Sequence, residues 1–223
     1  YMRETYGVSN EKTALAITIA NREKALLQDL DYENGYSLYV GIPFCPSICL
    51  YCSFGSHPLE RWTKRVDEYL DALCKELTFI REEMGERKLT TVYIGGGTPT
   101  TLEPEQLRRL LSHIQTTFDF TWVKEYTVEA GRPDSITREK LQVMKEFPVT
   151  RISVNPQTMN QKTLDVIGRK HTVEDTVNIF HMARELGFDN INMDLIVGLP
   201  GEGKEEVAHT LQKVENLHPD SLT

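Results

Sequence analysis

The sequence predicts an α/β fold built on a parallel sheet. Short strand patterns alternate with amphipathic helix patterns, and a parallel strand pair needs a crossover long enough to hold a helix. Five strand–helix units are complete in the 223 residues and a sixth strand is beginning. Glycine or polar groups also follow the successive strands, and in parallel α/β folds the chemistry gathers at the carboxyl ends of the strands. The strands are too few for an eight-fold barrel. A curved, open partial barrel and an open doubly wound sheet both remain.

Taken in order, Ser9 caps a helix to about Leu30, with Leu15, Ile19, Leu26 and Leu30 at helical spacing. Packing against the barrel is its expected role. Residues 1–36 are read as a helical extension and 37–223 as the main domain. Asp31 to Gly35 reads as a turn, Leu38 to Ile42 as the first strand, and Arg61 to Glu83 as a long helix. Thr91 to Ile94 is a strand and Pro104 to Thr117 a helix with Leu107, Leu110, Leu111 and Ile114 inward. Glu125 to Glu129 is the third strand, and Thr137 opens a helix to about Glu146. Arg151 to Val154 follows as a strand, then a short helix capped by Asn160 and closed by Gly168. Thr172 and Asp175 resemble a capping box, opening a helix to Leu186 with Gly187 behind it. Asn190 to Val197 is the fifth strand, and a helix carries Val207, Leu211, Val214 and Leu217.

With 25 basic and 33 acidic residues the formal charge is -8, which argues against a nucleic-acid surface. No apolar run approaches the roughly 18 residues of a membrane span, and no signal peptide opens the chain. The chain begins with Tyr1 and stops where a strand begins, so it is read as a fragment lacking the C-terminal part of its barrel. Three of its four cysteines are clustered and no secretory signal is present, which fits a reducing cytoplasm.

Cys45, Cys49 and Cys52 follow the first strand with spacing C-x3-C-x2-C. Three thiolates that close can hold three irons of a [4Fe–4S] cluster and leave the fourth open for a cosubstrate. A zinc site is the alternative, although zinc usually takes four ligands in paired spacing. Cys74, beside Leu73 on an apolar helix face, reads as a buried structural thiol. Gly95-Gly96-Gly97-Thr98-Pro99-Thr100 follows the second strand, either as a backbone surface for a ligand or as a tight turn. Glu129 and Asp194 have apolar neighbours and want cationic or hydroxyl partners. Arg169-Lys170-His171 is either a solvated basic face or a source of a guanidinium fork for a carboxylate. Asn155-Pro156-Gln157 follows the fourth strand.

The cysteine motif with Tyr51, followed by the glycine motif, resembles the radical S-adenosylmethionine (SAM) superfamily. More narrowly the chain is similar to the oxygen-independent coproporphyrinogen III oxidase group. Its stretches from Tyr39 to Ser47, Glu129 to Asp134 and Asn155 to Met159 look most like the HemZ branch, the coproporphyrinogen dehydrogenases. The resemblance implies a partial (βα)6 barrel, here truncated at the sixth strand, with a [4Fe–4S] cluster on Cys45, Cys49 and Cys52. It implies that SAM binds the open iron and is cleaved to methionine and a 5′-deoxyadenosyl radical. Tyr39 would lie beneath the cluster loop and Tyr51 beside the adenine. Gly96, Gly97 and Thr98 would hold the methionine amino end, and Arg169 its carboxylate. Gln157 and Asp194 would meet ribose hydroxyls, and Glu129 the ammonium or a polar neighbour. A tetrapyrrole substrate and a flavodoxin- or ferredoxin-type electron donor are implied as well. Two positions depart from the porphyrinogen-oxidising pattern. Gly41 stands where histidine is frequent, and Ser53 and Phe54 follow Cys52 where some members carry a further cysteine. Relatives in the group act as haem chaperones or open the haem ring. The six histidines show no clear axial-ligand motif, which disfavours the chaperone. A zinc-stabilised binding module is the remaining alternative.

Overall fold

The computed structural model describes residues 1–28, 30, 31 and 33–223. The turn read over 31–35 includes Tyr32, and the first helix as read includes Asp29; both lie outside the described residues. Two helices open the chain, α1 (Met2–Tyr6) and α2 (Asn10–Leu27). Strand β1 (Gly35–Ile42) leads into a small parallel pair, β2 (Phe44–Cys45) with β3 (His57–Pro58), which frames the cysteine loop. Then come α3 (Leu59–Trp62), a single tight turn, and α4 (Val66–Met84). The remainder alternates: β4 (Lys88–Gly96), α5 (Pro104–Thr117), β5 (Glu125–Gly131), α6 (Arg138–Lys145) and β6 (Arg151–Val154). It closes with α7 (Gln161–Val166), α8 (Val173–Glu185), β7 (Ile191–Met193), α9 (Lys204–Glu215) and β8 (Ser221–Leu222).

The main sheet has six strands in the order β1-β4-β5-β6-β7-β8, every pair parallel. Spatial order follows chain order without reversal. A doubly wound sheet would reverse at a switch point, so the sheet is that of a partial barrel. Side chains alternate between its faces. Val40 and Ile42, Val92 and Ile94, Val128 and Ala130, Ile152 and Val154, and Ile191 and Met193 are buried, and they join the helices in one core. Helix α5 gives that core Leu107, Leu110, Leu111 and Ile114, each contributing roughly 1.5–3 kcal/mol of burial. The alternate positions form the inner face: Tyr39 and Gly41, Tyr93 and Gly95, Thr127 and Glu129, Ser153 and Asn155, Asn192 and Asp194. The period of two therefore separates an apolar outer face from an inner face rich in polar groups.

Three sequence expectations need correction. The helix read over 61–83 is interrupted, because Trp62 and Arg65 have ψ of -2° and 3°, away from helical geometry. The fifth strand is three residues long instead of spanning 190–197. Beyond it, pairing with the segment after β6 resumes only as a single parallel bridge, with Gln157 N–H donating to the Asp194 carbonyl (3.0 Å) and Ile196 N–H to that of Gln157 (2.9 Å). Asp194 thus lies just past the strand. Helix α2 is capped by Ser9, whose Oγ accepts from Lys12 N–H at 3.2 Å, but it buries none of its residues. Leu15, Ile19 and Leu26 are 59%, 46% and 78% exposed, so the expected packing against the barrel is not formed. Its apolar residues run around the helix and give no single face to dock.

Candidate active site

The cysteine loop is held from three directions. Cys45 belongs to β2, so its backbone is set by the small parallel pair. Leu50 N–H donates to the Ile167 carbonyl at 3.0 Å and Ser47 Oγ to that of Gly168 at 3.2 Å, tying the loop to the end of α7. From the third side comes the glycine stretch, with Gly97 N–H on the Ile42 carbonyl (2.6 Å) and Thr98 N–H on that of Phe44 (2.8 Å). This contact explains the glycine at 97. A Cβ there would meet the Phe44 carbonyl oxygen at 2.6 Å, that of Ile42 at 2.9 Å and Cys45 Sγ at 3.0 Å. The glycines therefore serve the close packing of β4 on the cysteine loop, beyond either role read from the sequence.

Cys45, Cys49 and Cys52 are free thiols on one recess of about 100 Å3, together with Tyr51, Gly96, Gly97, Thr98, Glu129, Gln157 and Arg169. The same recess adds Phe54, Gly131, Arg132 and Asn155. Tyr39 stands outside it. It stacks on Tyr93 at 5.8 Å and lines an adjoining hollow of about 430 Å3 that shares Phe54, Gly96 and Gly97 with the recess. Asp194 is also outside, fixed by Asn192 Nδ2 at 2.7 Å, yet near enough to repel Glu129. Cys74 is half-buried on α4 instead of fully buried, and away from the recess.

Charge inside the recess is arranged in opposed groups. Burial pushes the Cys45 thiol up, while hydrogen bonds from Thr98 (Oγ1 to Sγ, 3.5 Å) and Ser56 pull it down. Burial and then Asp194 push the Glu129 carboxyl up to about 7, against a hydrogen bond from Tyr93 and the charge of Arg169. Asn155 Nδ2 donates to Glu129 at 3.3 Å, while its Oδ1 is buried with no protein partner. Gln157 has φ of 67°, a left-handed backbone that costs a non-glycine residue about 1 kcal/mol or more. Such strain is concentrated at functional sites.

Arg169 is 6% exposed and His171 1%, so the solvated-face reading fails for both. Arg169 donates to the Tyr51 hydroxyl from Nε (3.2 Å) and Nη2 (3.0 Å), and from Nη1 to the Asn155 carbonyl. A guanidinium has five N–H donors, so others are left for a ligand. Tyr51 thereby orients Arg169, and burial raises its own hydroxyl to about 12. His171 has no protein partner on either ring nitrogen, and burial followed by the charge of Arg169 lowers it to about 4.

The donor set fits an iron–sulfur cluster better than zinc. Among the described residues, no three His, Cys, Asp or Glu side chains converge closely enough to hold one metal ion. A cluster binds each thiolate through a different iron, so its ligands need not meet at a point. Beside the thiols the recess also offers a buried unpaired acceptor at Asn155 and a raised carboxyl at Glu129.

Comparison with known proteins agrees with this chemistry. The radical SAM superfamily profile matches residues 39–214. The chain is 44% identical, across 100% of its length, to the oxygen-independent coproporphyrinogen-III oxidase-like protein HemZ of Bacillus subtilis (strain 168), of which it covers 45%. It is 40% identical to the heme chaperone HemW of the same organism, over 81% of this chain and 47% of that protein. Among solved structures, coproporphyrinogen III oxidase (HemN) from Escherichia coli superposes with a TM-score of 0.78 at 32% identity, covering 89% of this chain and 46% of that one. The chain spans about half the length of the relatives it matches.

Proposed function

This chain belongs to the radical SAM superfamily, and from that premise we propose that it is the barrel part of an oxidoreductase with a [4Fe–4S] cluster on Cys45, Cys49 and Cys52. Superfamily membership implies SAM and an iron–sulfur cluster as cofactors. The observation that carries the reading is the meeting of the three thiols with Gly96, Gly97, Glu129, Gln157 and Arg169 around one recess. When bound, the cluster and SAM supply a 5′-deoxyadenosyl radical able to take hydrogen from a substrate.

The chain's own residues bind and orient. Backbone carbonyls of Gly96 and Gly97 accept from the methionine ammonium, beside Thr98. Glu129, as the carboxylate, would pair with that cation, which would offset the burial and the charge of Asp194 that hold its carboxyl up. Arg169, steadied by Tyr51, forks onto the carboxylate. Tyr51 would border the adenine, Gln157 and Asp194 would take ribose hydroxyls, and Tyr39, stacked on Tyr93, lines the adjoining hollow.

The substrate is a tetrapyrrole, and the reaction is oxygen-independent oxidative decarboxylation of the propionates of coproporphyrinogen III. Similarity to HemZ and HemN supports this. The second reading is a haem chaperone, favoured by 40% identity to HemW and by Gly41, which cannot handle a proton where porphyrinogen-oxidising members often carry histidine. The electron donor is of flavodoxin or ferredoxin type, and the setting is cytoplasmic. Among the described residues no helix is long and apolar enough to cross a membrane. The full-length protein, incubated anaerobically with SAM, reductant and either coproporphyrinogen III or haem, tests the choice. Loss of two carboxyl groups from the porphyrinogen supports the oxidase. Stable haem binding without turnover supports the chaperone instead.

A further inference from the structure

Arg132 lies in the Glu129–Asp134 stretch without an assigned role, yet it reaches the cysteine loop at both Ser47 and Cys49. It is 3% exposed and directly follows Gly131, whose φ of 70° turns the chain at the end of β5. Its Nε and Nη2 form a fork on Asp134, at 3.0 and 2.7 Å. Its Nη1 donates to the Ser47 carbonyl (3.0 Å), to Ser47 Oγ (2.8 Å) and toward Cys49 Sγ (3.6 Å). A buried cation needs a partner, and Asp134 supplies it. Only a planar guanidinium can hold that carboxylate with one edge and reach the loop with the other; an ammonium is a point charge without a fork.

We propose that Arg132, backed by Asp134, is a positioning residue that fixes the cluster loop and, by donating to the Cys49 thiolate, sets the reduction potential of the cluster. The proposal rests on the reading that the triad holds an iron–sulfur cluster. Reduction adds one electron and so one negative charge to the cluster, and hydrogen bonds and net charge around ligating sulfurs tune its potential. A donor on Cys49 favours the reduced state, and Asp134 offsets part of the positive charge. Removing the two partners must therefore move the potential in opposite directions.

The test is a redox titration of the full-length protein, reconstituted anaerobically, reduced by dithionite through mediators and read by electron paramagnetic resonance. Arg132→Met is expected to make reduction at least about tenfold less favourable, a fall of about 59 mV for one electron. Asp134→Asn is expected to raise the potential, and Arg132→Lys to lie between Arg132→Met and wild type. Shifts of the same sign in Arg132→Met and Asp134→Asn, or none in either with full iron content, overturn the proposal. If Arg132→Met assembles no cluster, Asp134→Asn alone decides, and an unchanged or lower potential there overturns it. Absence of an iron–sulfur cluster from the wild-type protein would sink the functional reading itself, a separate outcome.

Discussion

Replacing Glu129 by Gln asks whether the inner face of the sheet was built to receive a cation. In the folded chain the Glu129 carboxyl is pushed up to about 7, chiefly by burial and next by Asp194, from an ordinary 4.5. Between those two pH values the folded protein keeps a proton that the unfolded chain has released. Stability therefore falls as pH rises through the window, and the loss is complete above about 7. A gap of about 2.5 pH units at about 1.36 kcal/mol each sets an upper limit of about 3.4 kcal/mol. Burial raises Asp194 as well, so the two carboxylates share part of this effect. Glu129→Gln should match wild type near pH 4.5 and exceed it by about 1–3 kcal/mol at pH 8. Urea unfolding of the cluster-free protein at pH 4.5, 6 and 8 measures this. A difference that stays constant with pH, or a Gln variant weaker at pH 8, would show that protein partners already satisfy Glu129.

Other substitutions test other parts of the architecture. Gly97→Ala forces a Cβ against two carbonyl oxygens and Cys45 Sγ, and should cost about 1–3 kcal/mol with poorer cluster incorporation, seen in the urea midpoint and iron content. Thr172→Ala removes the acceptor for Asp175 N–H at 3.0 Å on α8 and should cost about 1 kcal/mol, read by thermal unfolding. Cys74→Ala leaves the recess untouched and should retain all bound iron, whereas Ala at Cys45, Cys49 or Cys52 should lose it on analysis after anaerobic reconstitution.

Where local signals and packing agree, the sequence was readable. The helix bounded by Pro104 and Thr117 and the strand bounded by Arg151 and Val154 fall as read, since caps, period and burial coincide there. Strand order was not readable, because periodicity marks which residues face a core but not which strands are neighbours. The residues proposed for the site came from motifs near the ends of successive strands together with the family resemblance, and ten of the twelve line one recess. Tyr39 and Asp194 lie beside it, since the alternation that puts both on the inner face does not fix their height along the barrel. The contact of Arg132 is hidden in the sequence for a different reason. Its partner Cys49 lies 83 residues away, and only the folded chain brings the guanidinium to the loop. The undocked α2 shows the reverse: some of its apolar residues recur at helical spacing, but others run around the helix and none of them is buried.

The central claim is that Cys45, Cys49 and Cys52 hold a four-iron cluster that activates SAM. Its most direct test is the iron, sulfide and zinc content of the full-length protein prepared without oxygen, followed by assay for 5′-deoxyadenosine with SAM and dithionite. The account predicts about four irons and about four sulfides per chain, and 5′-deoxyadenosine that disappears when any of the three cysteines becomes Ala. Stoichiometric zinc without iron, or a full cluster that yields no 5′-deoxyadenosine, would contradict it.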